Sequence, residues 1–290
     1  MFASWFPLNG NGEMSGTAWI DESGFLEGPV MITNTHSVGV VRDAVVAWQH
    51  ANGKMFQPYS YPVVAETYDG WLNDINGFHV RPEHALAALE SAASGRVAEG
   101  NVGGGTGMVC FQFKGGTGTA SRRTGSGYTV GVLVQANFGL RHQLTIAGVQ
   151  VGKAIPLEAP WAPLAVPSEQ GSIIVVVATD APLAPHQLRR LAKRAAIGLA
   201  RSGSQAGNGS GDIMLAFSTA NGGAASPESG IASIALLANS KITPIFDATI
   251  FATEEAILNA MAAAETMTGL DARTVDRLPA DRVRALMTED

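Results

Sequence analysis

Gly171-Ser172-Ile173-Ile174-Val175-Val176-Val177-Ala178 sets a hydroxyl at the mouth of an unbroken aliphatic run. Such a run reads as a buried strand, placed here at 173–179. A Pro- and Gly-rich stretch precedes it (Pro156, Pro160, Pro163, Pro167, Gly171), and 153–171 reads as an exposed linker. A hydroxyl behind a flexible segment and at the start of a buried strand suits a nucleophile that the chain itself uncovers. Were the Gly171–Ser172 bond to break, Ser172 would gain a free α-amine, whose ordinary pKa is ~7.7–8.0. That amine can take the proton of the neighbouring hydroxyl, so one residue supplies nucleophile and base. Taken alone, the same residues are better explained as a linker serine at a strand start.

Composition narrows the field. With 290 residues, 46% of them hydrophobic, the chain can bury a large core in one big domain or two small ones. Glycine is abundant (34) and aromatics are few (7%), so close backbone packing and tight turns are expected. The net charge of −6 with no basic block recommends no nucleic-acid partner. Cys110 is the only cysteine, which excludes an internal disulfide and a cysteine zinc site and is compatible with a reducing cytosol. Met1 to Gly10 lack a basic n-region and a sustained apolar h-region. No signal peptide is visible, and a cytoplasmic location is expected, with a periplasmic one left open. No apolar run reaches the ~18 residues of a membrane helix, so no membrane partner is expected.

Along the chain, residues 1–33 read as short strands and turns, with Asn9-Gly10-Asn11-Gly12 as a turn signal. Asn34-Thr35 offers an N-cap to a helix carrying Val38, Val41, Val45 and Trp48 at helical spacing. A second helix is expected over 82–94, started by Pro82 and stopped by Gly95. From 97 to 152, β-prone runs (Met108–Phe113, Tyr128–Ala136, Gln143–Val151) separated by glycines predict an antiparallel meander. After the strand at 173–179 come a helix at 185–201, a strand at 212–218 and a loop at 220–230. A short strand over 231–237 and a helix over 243–266, with Glu254 and Glu255 on its surface, follow. The charged tail after Gly269 reads as peripheral. Helices follow groups of strands without strict alternation, an α+β pattern that two packed sheets with outer helices would satisfy.

Several groups can carry chemistry. Ser210 and Asp212 in Asn208-Gly209-Ser210-Gly211-Asp212 are two apart at a strand start, so they share one side and can hold an ammonium or relay a proton. Asn137 ends an apolar strand, where its amide can donate to a developing oxyanion. Glu66-Thr67-Tyr68-Asp69-Gly70-Trp71 joins a carboxylate, a phenol and an indole, a set suited to a substrate ammonium. Ser210 and Asp212 fit a hydrophilic turn capping a strand equally well, Asn137 taken alone is better explained as a strand-end turn residue, and 66–71 also reads as a surface loop with partly buried aromatics. Gly100 to Gly107 imitate a phosphate loop, but no strand precedes them, and close backbone approach between strands explains them better. The six histidines are scattered without ligand spacing, and no Gly-x-Ser-x-Gly elbow occurs.

Taken together, Gly171–Leu183, Asn208–Asp212, Leu8–Met14, Thr33–Gly39 and Ala252–Ile257 resemble the L-aminopeptidase/D-esterase family, which includes the β-peptidyl aminopeptidases. The resemblance covers nearly the whole chain. It implies one domain, 1–290, with an αββα sandwich: two packed sheets with helices on both outer faces. It implies self-cleavage between Gly171 and Ser172 into pieces 1–171 and 172–290, with Ser172 as nucleophile and an acyl-enzyme intermediate. Ser210 and Asp212 match the family's hydroxyl/acid pair, Asn137 its oxyanion amide and Tyr68 its active-site tyrosine. Glu66 matches the carboxylate that receives the substrate amine, with Trp71 beside it as a binding wall. Substrates would be short peptides, amides or esters with a free amine. No cofactor is needed, and a homo-oligomer, a tetramer, is implied. Family sequences carry several dozen residues before the point where Met1 falls here, and they contribute early strands. Asp212 is Glu in some relatives. An amidase for oligoamides or pantetheine-type amides, an acyl transferase resembling the ornithine acetyltransferases, and an inactive amine-binding relic remain open alternatives.

Overall fold

The computed structural model describes residues 1–156, 170–226 and 228–288. In chain order its elements are β1 (Ala3–Gly10), α1 (Thr17–Ser23), β2 (Val30–Asn34), α2 (Val38–Ala51), β3 (Val63–Thr67) and α3 (Pro82–Glu90). Then come β4 (Val109–Cys110), β5 (Phe113–Lys114), β6 (Gly116–Arg123), β7 (Thr129–Asn137) and α4 (Val151–Ala154). The remainder is β8 (Gln170–Thr179), α5 (Pro185–Arg201), β9 (Gly209–Ser218), α6 (Thr243–Ala262), β10 (Met267–Thr268), β11 (Thr274–Val275) and α7 (Ala280–Thr288).

β8 is the centre of the design. The main sheet runs β1-β9-β8-β7-β6, with β8 parallel to β9 and antiparallel to β7. A strand paired on both edges and covered on both faces has no use for polar alternation, which is why Ile173 to Val177 read as one aliphatic run. Burying each such side chain contributes about 1.5–3 kcal/mol. Ile173, Val175 and Val177 enter the core beneath α5 and α6, together with Met214 and Ala216 of β9. Ile174 faces the other way, with Ile213 and Leu215, onto Val63 and Ala65 of β3. β3 pairs in parallel with β2, Val30 opposite Val63. Val64 then packs outward on Val38, Val41 and Ala44 of α2 and Ala85 of α3. The layers are therefore helix, sheet, sheet, helix, the second sheet consisting of β2 and β3 among the described residues.

Several expectations shift. α2 begins at Val38, after a 3-10 turn at Thr35–Ser37, because Asn34 and Thr35 spend their side chains on Asp69 and Glu66 instead of capping. Trp48 is half-buried on α2. α1 interrupts the strands of 1–33, bracketed by Gly16 and Gly24 at positive φ (75° and 76°). β6 is a strand that glycines disguise: a Cβ on Gly116 or Gly118 would strike the backbone of Gly100 or of α6. Gln143–Val151 runs from the end of a 3-10 turn (Arg141–Gln143), through a tight turn bridged between Ile146 and Val149, to the start of α4, with Thr145 and Gly152 bonding back to Ser202 and Leu144. Residues 231–237 join no strand; Ala235 is held by the side chain of Asn221. α3 and α6 stop at Glu90 and Ala262, short of 94 and 266. Glu254 and Glu255 pair with Arg201 and Arg122. The tail is built into the body: Val275 is buried and the Asp276 carbonyl accepts from Lys114 N at 2.8 Å. Of the linker 153–171, residues 157–169 lie outside the described residues, and Gly171 belongs to β8. Among the described residues no helix is long and apolar enough to cross a membrane.

Candidate active site

Ser172 stands second in line behind Gly171 on β8, 3% exposed, opposite Asn137 of β7 in the antiparallel ladder. Gly171 is there because nothing larger fits: a Cβ would lie 2.2 Å from the Asn137 carbonyl oxygen and 3.0 Å from Phe138 Cα. Both residues line a cavity of about 400 Å³ whose wall includes Thr35, Glu66 and Tyr68. The turn Asn11–Glu13 and the loop Asn208–Gly209 complete it. That turn is clamped by Asn9 Nδ2 donating to the Gly207 carbonyl at 2.6 Å and Asn11 Nδ2 to Gly209 O at 3.1 Å. Gly12 allows the approach, since a Cβ would come within 3.1 Å of Glu66 Oε1.

Glu66 is buried at the floor of this cavity. Its Oε1 accepts from Glu13 N at 2.9 Å, and its Oε2 accepts from Thr35 Oγ1. Burial pushes its carboxyl above the usual carboxylate range, against the pull of those two donors. Among the described residues no cation is paired to this carboxylate. Tyr68, 41% exposed, folds its ring back over Gly70 and offers its carbonyl to Asn137 Nδ2 at 2.7 Å. Asn137 Oδ1 accepts from Val109 N at 2.7 Å, so both ends of that amide are oriented.

Ser210 and Asp212 do share one side, as expected: Ser210 Oγ donates to Asp212 Oδ1 at 2.7 Å, both fully buried. That side is not the one Ser172 occupies. Side chains alternate along a strand, so Ser172 shares the face of Ile174. Ser210 and Asp212 share the face of Met214, beneath the helices. In register, Ser210 lies beside Gly171 and Asp212 beside Ile173. The pair therefore lies beside the Gly171–Ser172 segment, on the face of the sheet opposite the Ser172 side chain.

Trp71 is placed elsewhere. Its ring lies under the Arg273 guanidinium, 5.0 Å away, against the β10–β11 hairpin, and it does not line the cavity of Ser172. A larger cavity of about 460 Å³, bordered by Asn34, Asp69, His79 and His84, contains neither Ser172 nor Glu66. Asp69 turns toward it, held by Asn34 and Asn73, with burial raising its carboxyl too. The glycines 100–107 serve close approach: Gly104 lies against Gln135 and Gly105 against Thr117. Among the described residues no three His, Cys, Asp or Glu side chains are grouped to hold a metal ion. Two contributors carry no distinct signal of their own in the sequence: Thr35, whose type and place suit a cap, and Glu13, whose amide grips Glu66. Both lie within the stretches Leu8–Met14 and Thr33–Gly39 that carry the family resemblance.

Residues 1–275 match peptidase family S58. The chain belongs to that family. Beta-peptidyl aminopeptidase BapA of Sphingosinicella microcystinivorans is 56% identical over 300 residues, covering 99% of this chain and 76% of that one. Among solved structures, the L-aminopeptidase D-Ala-esterase/amidase of Ochrobactrum anthropi superposes with a TM-score of 0.90 at 47% identity. The match covers 99% of this chain and 80% of that one. That enzyme is described as a prototype for the serine aminopeptidases, with a variant of the Ntn hydrolase fold. A beta-aminopeptidase of a Burkholderia species superposes at 0.89 with 45% identity, over 99% of this chain and 80% of that one. The S58 chain described here is thus an aminopeptidase-type hydrolase with the Ntn hydrolase fold, and the α+β, αββα expectation holds.

Proposed function

We propose that this S58 peptidase cuts itself between Gly171 and Ser172 and then works as an N-terminal-serine aminopeptidase on short peptides, amides or esters bearing a free amine. The observation that carries this reading is that Ser172 and the carboxylate of Glu66 line one cavity. In the uncut chain Ser172 Oγ adds to the Gly171 carbonyl carbon. The C–N bond breaks, leaving an ester and a free α-amine, and water hydrolyses the ester to a Gly171 carboxylate. In the cut enzyme the α-amine accepts the proton of Oγ as it attacks the substrate acyl carbon, then passes it to the departing amine. Water releases the acyl group from the serine.

Asn137 carries two amide N–H groups, one given to Tyr68. The other serves the oxyanion, a contribution of about 2.7–4 kcal/mol per donor. Ser210 and Asp212, behind the scissile peptide, are suited to hold the new ammonium and set its basicity. Glu66 fixes the substrate's ammonium one residue from the bond attacked, which restricts cleavage to chain ends. Intact-mass analysis tests the scheme. Two fragments meeting at 171/172, absent from Ser172→Ala, are expected; an uncut chain that hydrolyses aminoacyl amides would sink it. A serine-directed covalent probe should label Ser172 in the cut form, whereas an inactive amine-binding relic would leave it unlabelled.

A further inference from the structure

Lys114 is a buried cation that the scheme above leaves unused. It is 0% exposed at the end of the β4–β5 hairpin. Its Nζ donates to the carbonyls of Met108 at 2.9 Å, Gly115 at 2.8 Å and Gly105 at 3.2 Å. Three donors meeting three carbonyls fit an ammonium, not an amine. Among the described residues no carboxylate pairs with it, and burial lowers it to about 8, with Cys110 alongside acting in the opposite sense. A charge left without a counter-ion in the core is costly, so its position calls for an explanation beyond packing.

The Met108 carbonyl belongs to the same peptide unit as Val109 N, which donates to Asn137 Oδ1 at 2.7 Å. We propose that Lys114 is a positioning residue that holds and polarises the Asn137 amide through the Met108–Val109 peptide. The ammonium draws electron density to the Met108 oxygen, which makes the Val109 N–H a stronger donor. That bond in turn draws density to Asn137 Oδ1 and leaves the Nδ2 hydrogens more positive. Chains of hydrogen bonds in a low-dielectric interior reinforce one another in this way. The inference rests on reading Asn137 as the oxyanion donor. It adds a charge, two hydrogen bonds and one peptide unit away, whose effect is felt only when negative charge develops on the attacked carbonyl.

The experiment is a double-mutant cycle. Lys114→Met and Lys114→Gln are each made in the natural chain and in Asn137→Ala. Self-cleavage rate, kcat per titrated active site and KM are measured for an aminoacyl amide. The expected result is a loss of kcat of about 10- to 100-fold, a matching slowing of self-cleavage, and an unchanged KM. In Asn137→Ala the same substitutions should cost almost nothing further. Equal losses in both backgrounds, or an effect on KM alone, would overturn the relay while leaving Asn137 its role. A full kcat in Asn137→Ala by itself would remove the oxyanion reading, and the proposal with it. Should neither Lys114 variant fold, Val109→Pro deletes the intervening N–H with Lys114 in place; it should lower kcat alike, and a wild-type kcat there refutes the relay.

Discussion

Replacing Gly171 by alanine probes the scissile bond with a single methyl group. Its carbon would sit 2.2 Å from the Asn137 carbonyl oxygen and 3.0 Å from Phe138 Cα, whereas ordinary contact begins at 3.4 Å. Neither neighbour is a side chain that can swing away; both are backbone, at the last residue of β7 and the one that follows it. The strands must part by about 1 Å at the carbonyl that Ser172 would attack in the proposed scheme, and the residue pushed is Asn137, the proposed oxyanion donor. A misplacement of about 1 Å costs a reaction on the order of 10²-fold. Overpacking of a closed ladder costs about 1–3 kcal/mol. Gly131, on the same β7, is the control, since a Cβ there meets nothing within 4 Å. Intact-mass time courses after translation arrest should show Gly171→Ala cutting about 100-fold more slowly and melting lower than the natural chain, with Gly131→Ala unchanged in both. If Gly171→Ala cuts at the natural rate and melts at the natural temperature, the tight β7–β8 geometry at this site is wrong.

Glu66→Gln should raise KM for free-amine substrates by roughly 10- to 150-fold, the worth of a charged hydrogen bond at about 1.5–3 kcal/mol, with kcat little changed. Steady-state kinetics check it, and an unaltered KM removes Glu66 as the ammonium receptor. Because burial raises the Glu66 carboxyl, KM should climb on the acid side at a higher pH than an exposed glutamate would give, and Glu66→Gln should flatten that limb. The same shift has a stability sign. The folded state prefers the protonated form, so the native glutamate weakens folding as pH rises through its raised pKa. Glu66→Gln should therefore melt above the natural chain at neutral pH, the gap closing on acidification. Gly118→Ala, whose methyl would strike the Ala256 carbonyl and Ala260 N of α6, should cost about 1–3 kcal/mol by denaturant unfolding and leave KM alone.

How much of this was legible beforehand varies with the kind of signal. β8 and α5 were readable because burial writes itself into composition: an aliphatic run for a strand covered on both faces, Pro185 for a helix start. β6 was not, because its packing demanded the absence of side chains, and Gly116 and Gly118 look like breakers until α6 is seen against them. Thr35 and Asn34 read as a cap because their types are the same for capping and for gripping a carboxylate. Only the tertiary approach of β3 decides which they do. The Ser210–Asp212 pairing followed from a two-residue spacing, yet which face it occupies depends on the phase of β9 against β8. Trp71 shared a segment with Glu66 but not a direction. Lys114 carried no signal at all, since a lone lysine among glycines is usually a surface residue.

The strand order has a mechanical consequence for a chain that is severed at residue 171. The two main-sheet strands that would lie downstream of that cut, β8 and β9, are flanked on one edge by β1 and on the other by β7 and β6. Were the proposed cut made, the fragment from 172 onward would be inlaid in the one before it, and parting them would mean unzipping two ladders at once. A protein that folds as one molecule would melt as two. Its first folding is independent of dilution, but every later attempt to recover from denaturation becomes a search between separate partners, slower the more dilute the sample.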